Sequence, residues 1–444
     1  MRKLLFISLL LIQTVFAINV KTIKDIEKYK LSADQIFVMD VREAGVFYRY
    51  TGTMKADGGV VIKDGLGRLW MREWDQANGV NPAWWGAKGD GVTDDIVAYE
   101  KAVKFCKVDM MYGALIEWTW LPLINTSIGG VYAFSRPLII GGAPCSPADA
   151  MKLNWFNRGL PSYNWPGHQL IAGQLPISMK FNQRAYIKAL FRPDTLTAVI
   201  SYGSDGWSYG GWDMQNAVIE GLKVCGPDGM DMYKHGRGSN LVGLVMYGGR
   251  NTTMSGCGFY NLEVGMIQNS TYFDNLHAMQ FRNCGIGYLS QGSHSTNGYG
   301  WHASYCDVAF EIRSGASVFT GMNTEECKTA LIVGNGFNHF NGLYFEKSNT
   351  EPNDTTNYQL IIGYDKGVDP RGDNIIRRTT ITAMSISGGI NGILMKELAE
   401  QLDISGSVFV STKVKTTSPD NRMIIRNCYG EAYQPQIGRI DYVY

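Results

Sequence analysis

From about residue 186 onward, short apolar runs recur between glycine and asparagine turns. Examples are Ala198-Val199-Ile200, Ala217-Val218-Ile219, Leu241-Val242-Gly243-Leu244-Val245, Ala309-Phe310-Glu311-Ile312, Ala330-Leu331-Ile332-Val333 and Gly342-Leu343-Tyr344-Phe345. Runs this short, bounded by turn residues, predict strands. A spacing of about twenty residues predicts one coil of a solenoid per repeat, each coil burying its face on its neighbours. Cys257, Cys284, Cys306 and Cys327 follow at intervals of 27, 22 and 21 residues. That spacing favours a stacked ladder of small buried side chains over disulfide bridges. Asn283 and Asn323, near two of these cysteines, are candidates for a turn ladder.

Upstream the pattern differs. Residues 18–80 hold Gly45-Val46-Phe47-Tyr48-Arg49-Tyr50, Gly58-Gly59-Val60-Val61-Ile62 and Arg68-Leu69-Trp70-Met71-Arg72 between glycine and aspartate turns, which predicts a small N-terminal β region. Ile96, Tyr99, Ala102, Val103 and Cys106 then fall at helical spacing, with Thr93 as the expected N-cap and Asp94 and Asp95 in the first turn. Such a helix can cover the open end of a coiled sheet. Prolines at 144, 147, 161, 166 and 176 break the pattern over 143–185, which reads as an irregular insertion. Residues 395–402 are briefly helix-like but equally compatible with a loop, and 411–444 read as a closing segment.

The segment Trp84-Trp85-Gly86-Ala87-Lys88-Gly89-Asp90-Gly91-Val92-Thr93-Asp94-Asp95 resembles the opening motif of the pectate lyase superfamily. More narrowly, it is similar to the rhamnogalacturonase/epimerase-type β-helix family, which includes many phage tailspikes. Family members usually continue with a Gly-Gly strand and a Pro-Gly turn. Here Gly113-Ala114-Leu115-Ile116-Glu117-Trp118-Thr119-Trp120-Leu121-Pro122 matches only in part. The resemblance implies an all-β fold, a right-handed parallel β-helix (solenoid) over 81–410, with the small N-terminal β region and one capping helix. It also implies a polysaccharide as partner and, as in tailspikes, a homotrimer. A sugar epimerase is suggested only by the family name, since no nucleotide-sugar site is evident.

Composition narrows the function classes. The 444 residues are 45% hydrophobic and only 18% charged, with 52 glycines and a net charge of +1. That balance gives no electrostatic reason for a nucleic acid partner. Met1-Arg2-Lys3, the apolar run Leu4 to Ile12, and Val15-Phe16-Ala17 have the parts of a secretory signal over 1–17. The run is too short to span a bilayer, so the expectation is a secreted or cell-surface protein without membrane insertion.

Glycoside hydrolysis needs two carboxyls, and a polysaccharide lyase needs a base with a charge-stabilising partner. On the later coils, Glu325, Glu326, Glu346, Asp307 and His302 are the candidate catalytic residues, with Asp274, Glu311 and His277 further possibilities. Glu325 and Glu326 are adjacent, so on a strand they face opposite ways. Each carboxylate also has a plain reading as a solvated coil edge. Trp207, Trp212 and Trp301 are candidate sugar-stacking residues, with core packing as the alternative. No Gly-His-Gly or Arg-Ile-Lys signature, phosphate loop, catalytic triad or zinc motif occurs, so no cofactor and no metal is expected. A non-catalytic adhesin or tailspike-like receptor binder is the competing expectation.

Overall fold

The structure, a computed structural model, describes residues 16–30, 33–113, 123–140, 177–203, 216–231, 233–249, 251–269, 271–346, 357–367, 376, 378–387, 391–433 and 439–443. A five-stranded sheet comes first, in the spatial order Ala17–Val20, Gln35–Val38, Gly45–Tyr50, Leu69–Arg72 and Val61–Lys63. Its first pair is parallel and the others are antiparallel. Alternate residues Ile36, Val38, Phe47, Ile62 and Trp70 form its own small core. A short helix, Ile23–Lys28, covers it and was not anticipated. Its signal was a capping box, in which the Asp25 carboxylate reaches back to the Thr22 N–H at 2.8 Å.

The rest is a right-handed parallel β-helix. Each full coil gives three short strands, one to each face of a triangular tube. In one coil these are Asn275–His277, Gln280–Arg282 and Ile286–His294; in the next, Asn297–Tyr299, His302–Ser304 and Val308–Gly315. Equivalent strands pair in parallel and in register. Among the described residues the first sheet stacks twelve strands, and the second and third faces join into one network of 21. The parallel pairing begins at Asp90–Asp94, which pairs with Gly130–Phe134, already includes Ser178–Phe181, and continues through Arg439–Val443, past residue 410. Residues 396–400 link the strands Ile393–Met395 and Gln401–Ser405 without a helix, so the loop reading holds there.

The period-2 pattern of each strand sets the core. Met254, Leu276, Gly298, Phe319 and Phe340 align inward on the first sheet. Val224, Phe259, Phe281, Ala303, Thr324 and Phe345 do so on the second. Phe259 stacks on Phe281 at 5.6 Å, and Phe319 on Phe340 at 5.4 Å. Gly298 is required by close approach, since a Cβ there would lie 2.4 Å from the Phe319 ring and 2.9 Å from Trp301.

Two inner ladders run along the corners. Leu222, Cys257, Met279, Trp301, Met322 and Leu343 share the corner between the first and second sheets, linked by backbone hydrogen bonds one coil apart. Leu262, Cys284, Cys306 and Cys327 share the corner between the second and third. The cysteine ladder therefore has three rungs, and Cys257 belongs to the other corner; its 27-residue interval is the mark of that. All four thiols are free and buried, and burial pushes the Cys306 thiol well above its ordinary pKa.

The helix Ile96–Gly113 covers the open N-terminal end, with Ile96, Tyr99, Ala102, Val103 and Cys106 all buried as the spacing predicts. Its cap differs from expectation. Thr93 lies in the strand Asp90–Asp94, and Asp95 starts the helix, its carbonyl accepting from Ala98 and Tyr99. The Asp95 carboxylate accepts from the N–H groups of Lys88, Gly89 and Ala133 at 2.5, 3.1 and 3.3 Å. It ties the glycine turn to the first coil, a structural role that capping alone does not describe. Among the described residues no helix is long and apolar enough to cross a membrane.

Candidate functional site

On the second sheet, residues flanking the inward column point outward. One outer column runs Gln280, His302, Asn323, Tyr344, and the other Tyr260, Arg282, Ser304, Glu325, Glu346. Parallel strands hold these side chains about 4.8 Å apart from coil to coil. The His302 Nε2 lies 4.0 Å from Glu325 Oε2, and both side chains are open to solvent. Glu346 is the register partner of Glu325 one coil on, and accepts a hydrogen bond from the Tyr344 hydroxyl at 3.2 Å. The Tyr260 hydroxyl donates to Gln280 at 3.0 Å. The Arg282 guanidinium stacks 5.4 Å from the Tyr305 ring centre, while its buried Nε lacks an acceptor.

The corner after this sheet needs left-handed backbone at one position per coil. Asn261 and Asn283 occupy it with φ of 54° each. Asparagine tolerates that conformation because its short polar side chain bonds locally. Asn261 donates to the carbonyls of Gly229 and Asp231 at 2.8 Å, tying down the segment 226–240. In the next two coils the position passes to Tyr305 and Glu326, at 56° and 54°. Asn323 is not part of this ladder; it starts the strand Asn323–Glu325. Tyrosine and glutamate are costly choices in left-handed backbone, a cost that other corners also carry at Phe273, Ala278 and Phe337.

A groove of about 430 Å³ opens there, lined by His235, Arg237, Tyr305, Cys306, Asp307, Glu326 and Lys328. Arg237 grips Asp307 through two nitrogens, Nε at 2.6 Å and Nη2, and Lys328 Nζ adds a contact at 3.3 Å. Partial burial pushes the Asp307 carboxyl up, but the hydrogen bonds from Arg237 and Lys328 outweigh it and hold the pKa below its ordinary value. Asp307 thus stays ionised at neutral pH and cannot act as a general acid. Burial pushes the His235 pKa down, against the pull of Asp307. Its Nδ1 accepts from the Arg237 N–H at 3.1 Å, which leaves the proton of the neutral ring on Nε2.

The structure therefore brings His302, Glu325 and Glu346 together on one outer face, and places Asp307 and Glu326 in the adjoining groove. It separates the other carboxylates. Asp274 is fully buried, accepting from Thr252 N–H at 2.8 Å and Gln268 Nε2 at 2.7 Å. Glu311 is buried on the third sheet against Arg313 and Tyr364. His277 sits on the first sheet beside Tyr299. Trp301 is corrected: it is 1% exposed, its indole N–H donates to the Leu276 carbonyl at 2.8 Å, and its faces pack on Tyr288, Phe310 and Phe319. No face is open to a sugar. Trp207 and Trp212 lie outside the described residues. Sequence reading missed His235, Arg237, Arg282 and Lys328. The readable signal was turn length, since 15 residues separate the strand ending at Cys225 from that starting at Leu241, against 3 between Tyr260 and Val264.

No protein-family model matches the sequence, and no curated protein matches it. Solved structures do. The chain is similar to the tailspike protein of Acinetobacter baumannii phage AM24, with a TM-score of 0.60, 14% identity, and coverage of 93% of this chain and 64% of that one. It is similar to the enzymatically active domain of tailspike protein 2 of bacteriophage CBA120, with a TM-score of 0.55, 12% identity, and coverage of 96% and 56%. It is also similar to full-length tailspike protein 2 of Escherichia coli O157:H7 bacteriophage CAB120, with a TM-score of 0.53, 13% identity, and coverage of 93% and 47%. The chain spans 47% to 64% of the length of these neighbours. At such identities the likeness shows the fold, a parallel β-helix of the tailspike-like kind.

Proposed function

We propose that the outer face of the second sheet binds a polysaccharide and hydrolyses it, with Glu325 and Glu346 as the two carboxyls. The observation that carries this reading is their register: equivalent positions on adjacent coils, with His302 beside the first and Tyr344 beside the second. Backbones about 4.8 Å apart allow two outward glutamates on adjacent coils to reach the roughly 5–5.5 Å carboxyl separation of retaining glycosidases. Glu346, accepting from Tyr344, is the nucleophile. Glu325 delivers and recovers the proton, with His302 exchanging it with solvent. Arg282, Tyr260 and the groove around Arg237 and Lys328 hold the flanking sugars. One neighbour being described as an enzymatically active tailspike domain supports the reading.

The resemblance of the Trp84–Asp95 motif to the pectate lyase superfamily supports the same polymer class. Export through residues 1–17 to the cell exterior, and assembly as a homotrimer, complete the proposal. Each rests on the sequence and its resemblance, and each is checked by N-terminal sequencing of the exported protein and by its mass in solution.

The test is digestion of a panel of bacterial and plant polysaccharides with product analysis. New reducing ends with retained anomeric configuration support the proposal. Unsaturated uronate products would replace hydrolysis by elimination, and binding without products would replace the enzyme by an adhesin.

A further inference from the structure

The outer face of the second sheet is polarised in charge. Towards the N-terminal end its two outward columns continue beyond the candidate carboxylates. Lys223, Gly258 and Gln280 lead to His302, while Lys188, Cys225 and Tyr260 lead to Arg282. In this half the charged side chains are Lys188, Lys223 and Arg282. Past His302 and Ser304 they are Glu325 and Glu346. Three coil steps separate Lys188 from Arg282 and two separate Arg282 from Glu325, on the order of 14 and 10 Å.

None of the three cations is neutralised by the chain. Elsewhere partly buried cations are held by carboxylates, as Arg68 is by Asp64, Arg313 by Glu311 and Lys396 by Asp365. Lys188, Lys223 and Arg282 have no ion-pair partner among the described residues. Lys223 donates to the Gln183 carbonyl, and Arg282 lies against the Tyr305 ring. Carboxylates of the adjoining segments are engaged: Asp228 by Arg192, Glu263 by the Gly238 N–H, and Asp307 by Arg237 and Lys328. All three cations are partly open to solvent, while the Arg282 Nε is buried without an acceptor. Three unpaired cations converging on one strip attract an anion. The chain's overall charge of +1 hides this strip.

We infer that the polysaccharide bound on this face is acidic, that the strip Lys188, Lys223 and Arg282 receives its anionic groups, and that the bond at Glu325 and Glu346 joins uncharged units. The inference rests on the reading of this face as the polysaccharide site. The anionic group is a carboxylate or an ester-linked phosphate or sulfate. Seated beside Glu325 and Glu346 it would meet two like charges, whereas at Arg282 it lies about a Debye length from them. The polymer therefore carries charge on some units only, and lies along the sheet in one direction.

Calorimetry on the full chain tests this with oligosaccharides of hyaluronan, in which charged and neutral units alternate, of alginate, charged at every unit, of dextran sulfate, and of neutral dextran. Expected is binding of a charged probe with a dissociation constant on the order of 1 mM or below in low salt. It weakens about tenfold on raising sodium chloride from roughly 0.02 to 0.2 M, and likewise in Arg282→Gln and in Lys223→Gln. Arg426→Gln, which removes an exposed cation from the first sheet, should leave it unchanged. Preference for hyaluronan and alginate identifies the anion as a carboxylate, and preference for dextran sulfate as an ester. Circular dichroism confirms that each variant is folded. The inference is overturned if no charged probe binds, if dextran binds as tightly, if Arg282→Gln and Lys223→Gln leave binding unaltered, or if Arg426→Gln weakens it equally. Efficient cleavage of alginate would overturn the placing of the charge away from the cut bond. Cleavage of a neutral polymer at a rate unchanged in both strip variants would sink the inference and leave the hydrolysis standing. Charge-dependent binding with no cleavage of any polymer would do the reverse.

Discussion

The inner and outer sides of the second sheet are built from the same short strands, yet they obey different rules. Inside, Phe259, Phe281, Ala303, Thr324 and Phe345 form one column in which each volume is answered by a neighbour. Trp301 fits because Gly298 and Ala303 in its own coil are small. Outside, one column runs Gln280, His302, Asn323 and Tyr344 and the other Arg282, Ser304, Glu325 and Glu346, so polar types change along both and only the last two rungs of the second share a glutamate. The inner column is largely apolar because it must pack on its neighbours, and the outer columns are polar because they face solvent. That outer side is the one proposed to hold a polysaccharide.

The sharpest way to break this comparison is Trp301→Ala. If the indole is core, the variant loses about 3–5 kcal/mol in urea unfolding. A loss below about 1 kcal/mol, with weaker sugar binding, would return Trp301 to the surface. The outer face should behave in the opposite way. Glu325→Gln and Glu346→Gln are expected to lower kcat/KM by about 10²–10⁴, while stability stays within about 0.5 kcal/mol. Full activity in both would remove them from the site.

Smaller effects test the corner. Glu326→Asn places the favoured residue at φ 54° and should stabilise the fold by roughly 0.5–1 kcal/mol. A loss instead would mean that the contacts of Glu326 outweigh its backbone strain. Asp307→Asn should cost about 0.2–1 kcal/mol near pH 7, because Arg237 is half exposed. The sign of its pH dependence follows from the lowered pKa. The ionised carboxylate stabilises the fold above its unfolded pKa, and that contribution is lost as pH falls through the folded value. Thermal melts of variant and parent should differ near neutrality and converge in acid; a constant difference would detach Asp307 from its ion pairs.

Much of this architecture was legible because it repeats. The coil period, the buried face of the helix at Ile96, Tyr99, Ala102, Val103 and Cys106, and the stacked thiols all follow from spacing and burial. The exceptions have local causes. Cys257 shares a residue type with Cys284 but not a corner, since the 27 residues between them exceed one coil. Trp301 beside His302 looked like a sugar platform, but neighbouring residues on this turn face opposite ways. Asn323 is a strand residue three places short of the ladder's last rung, Glu326. The groove was not legible at all, since Arg237 and Asp307 meet across 70 residues of chain. His302, Glu325 and Glu346 fall on one outer face because polar residues on a repeating strand point outward, whereas Asp307 and Glu326 lie at the adjoining corner.

A crystal structure of the Glu325→Gln variant with an oligosaccharide from the polymer it binds tests the central claim most directly. The account predicts sugar density along the second sheet between Tyr260 and Glu346, with a glycosidic oxygen within hydrogen-bond reach of residue 325. An oligosaccharide lying instead along the first or third sheet, with these side chains untouched, would contradict it.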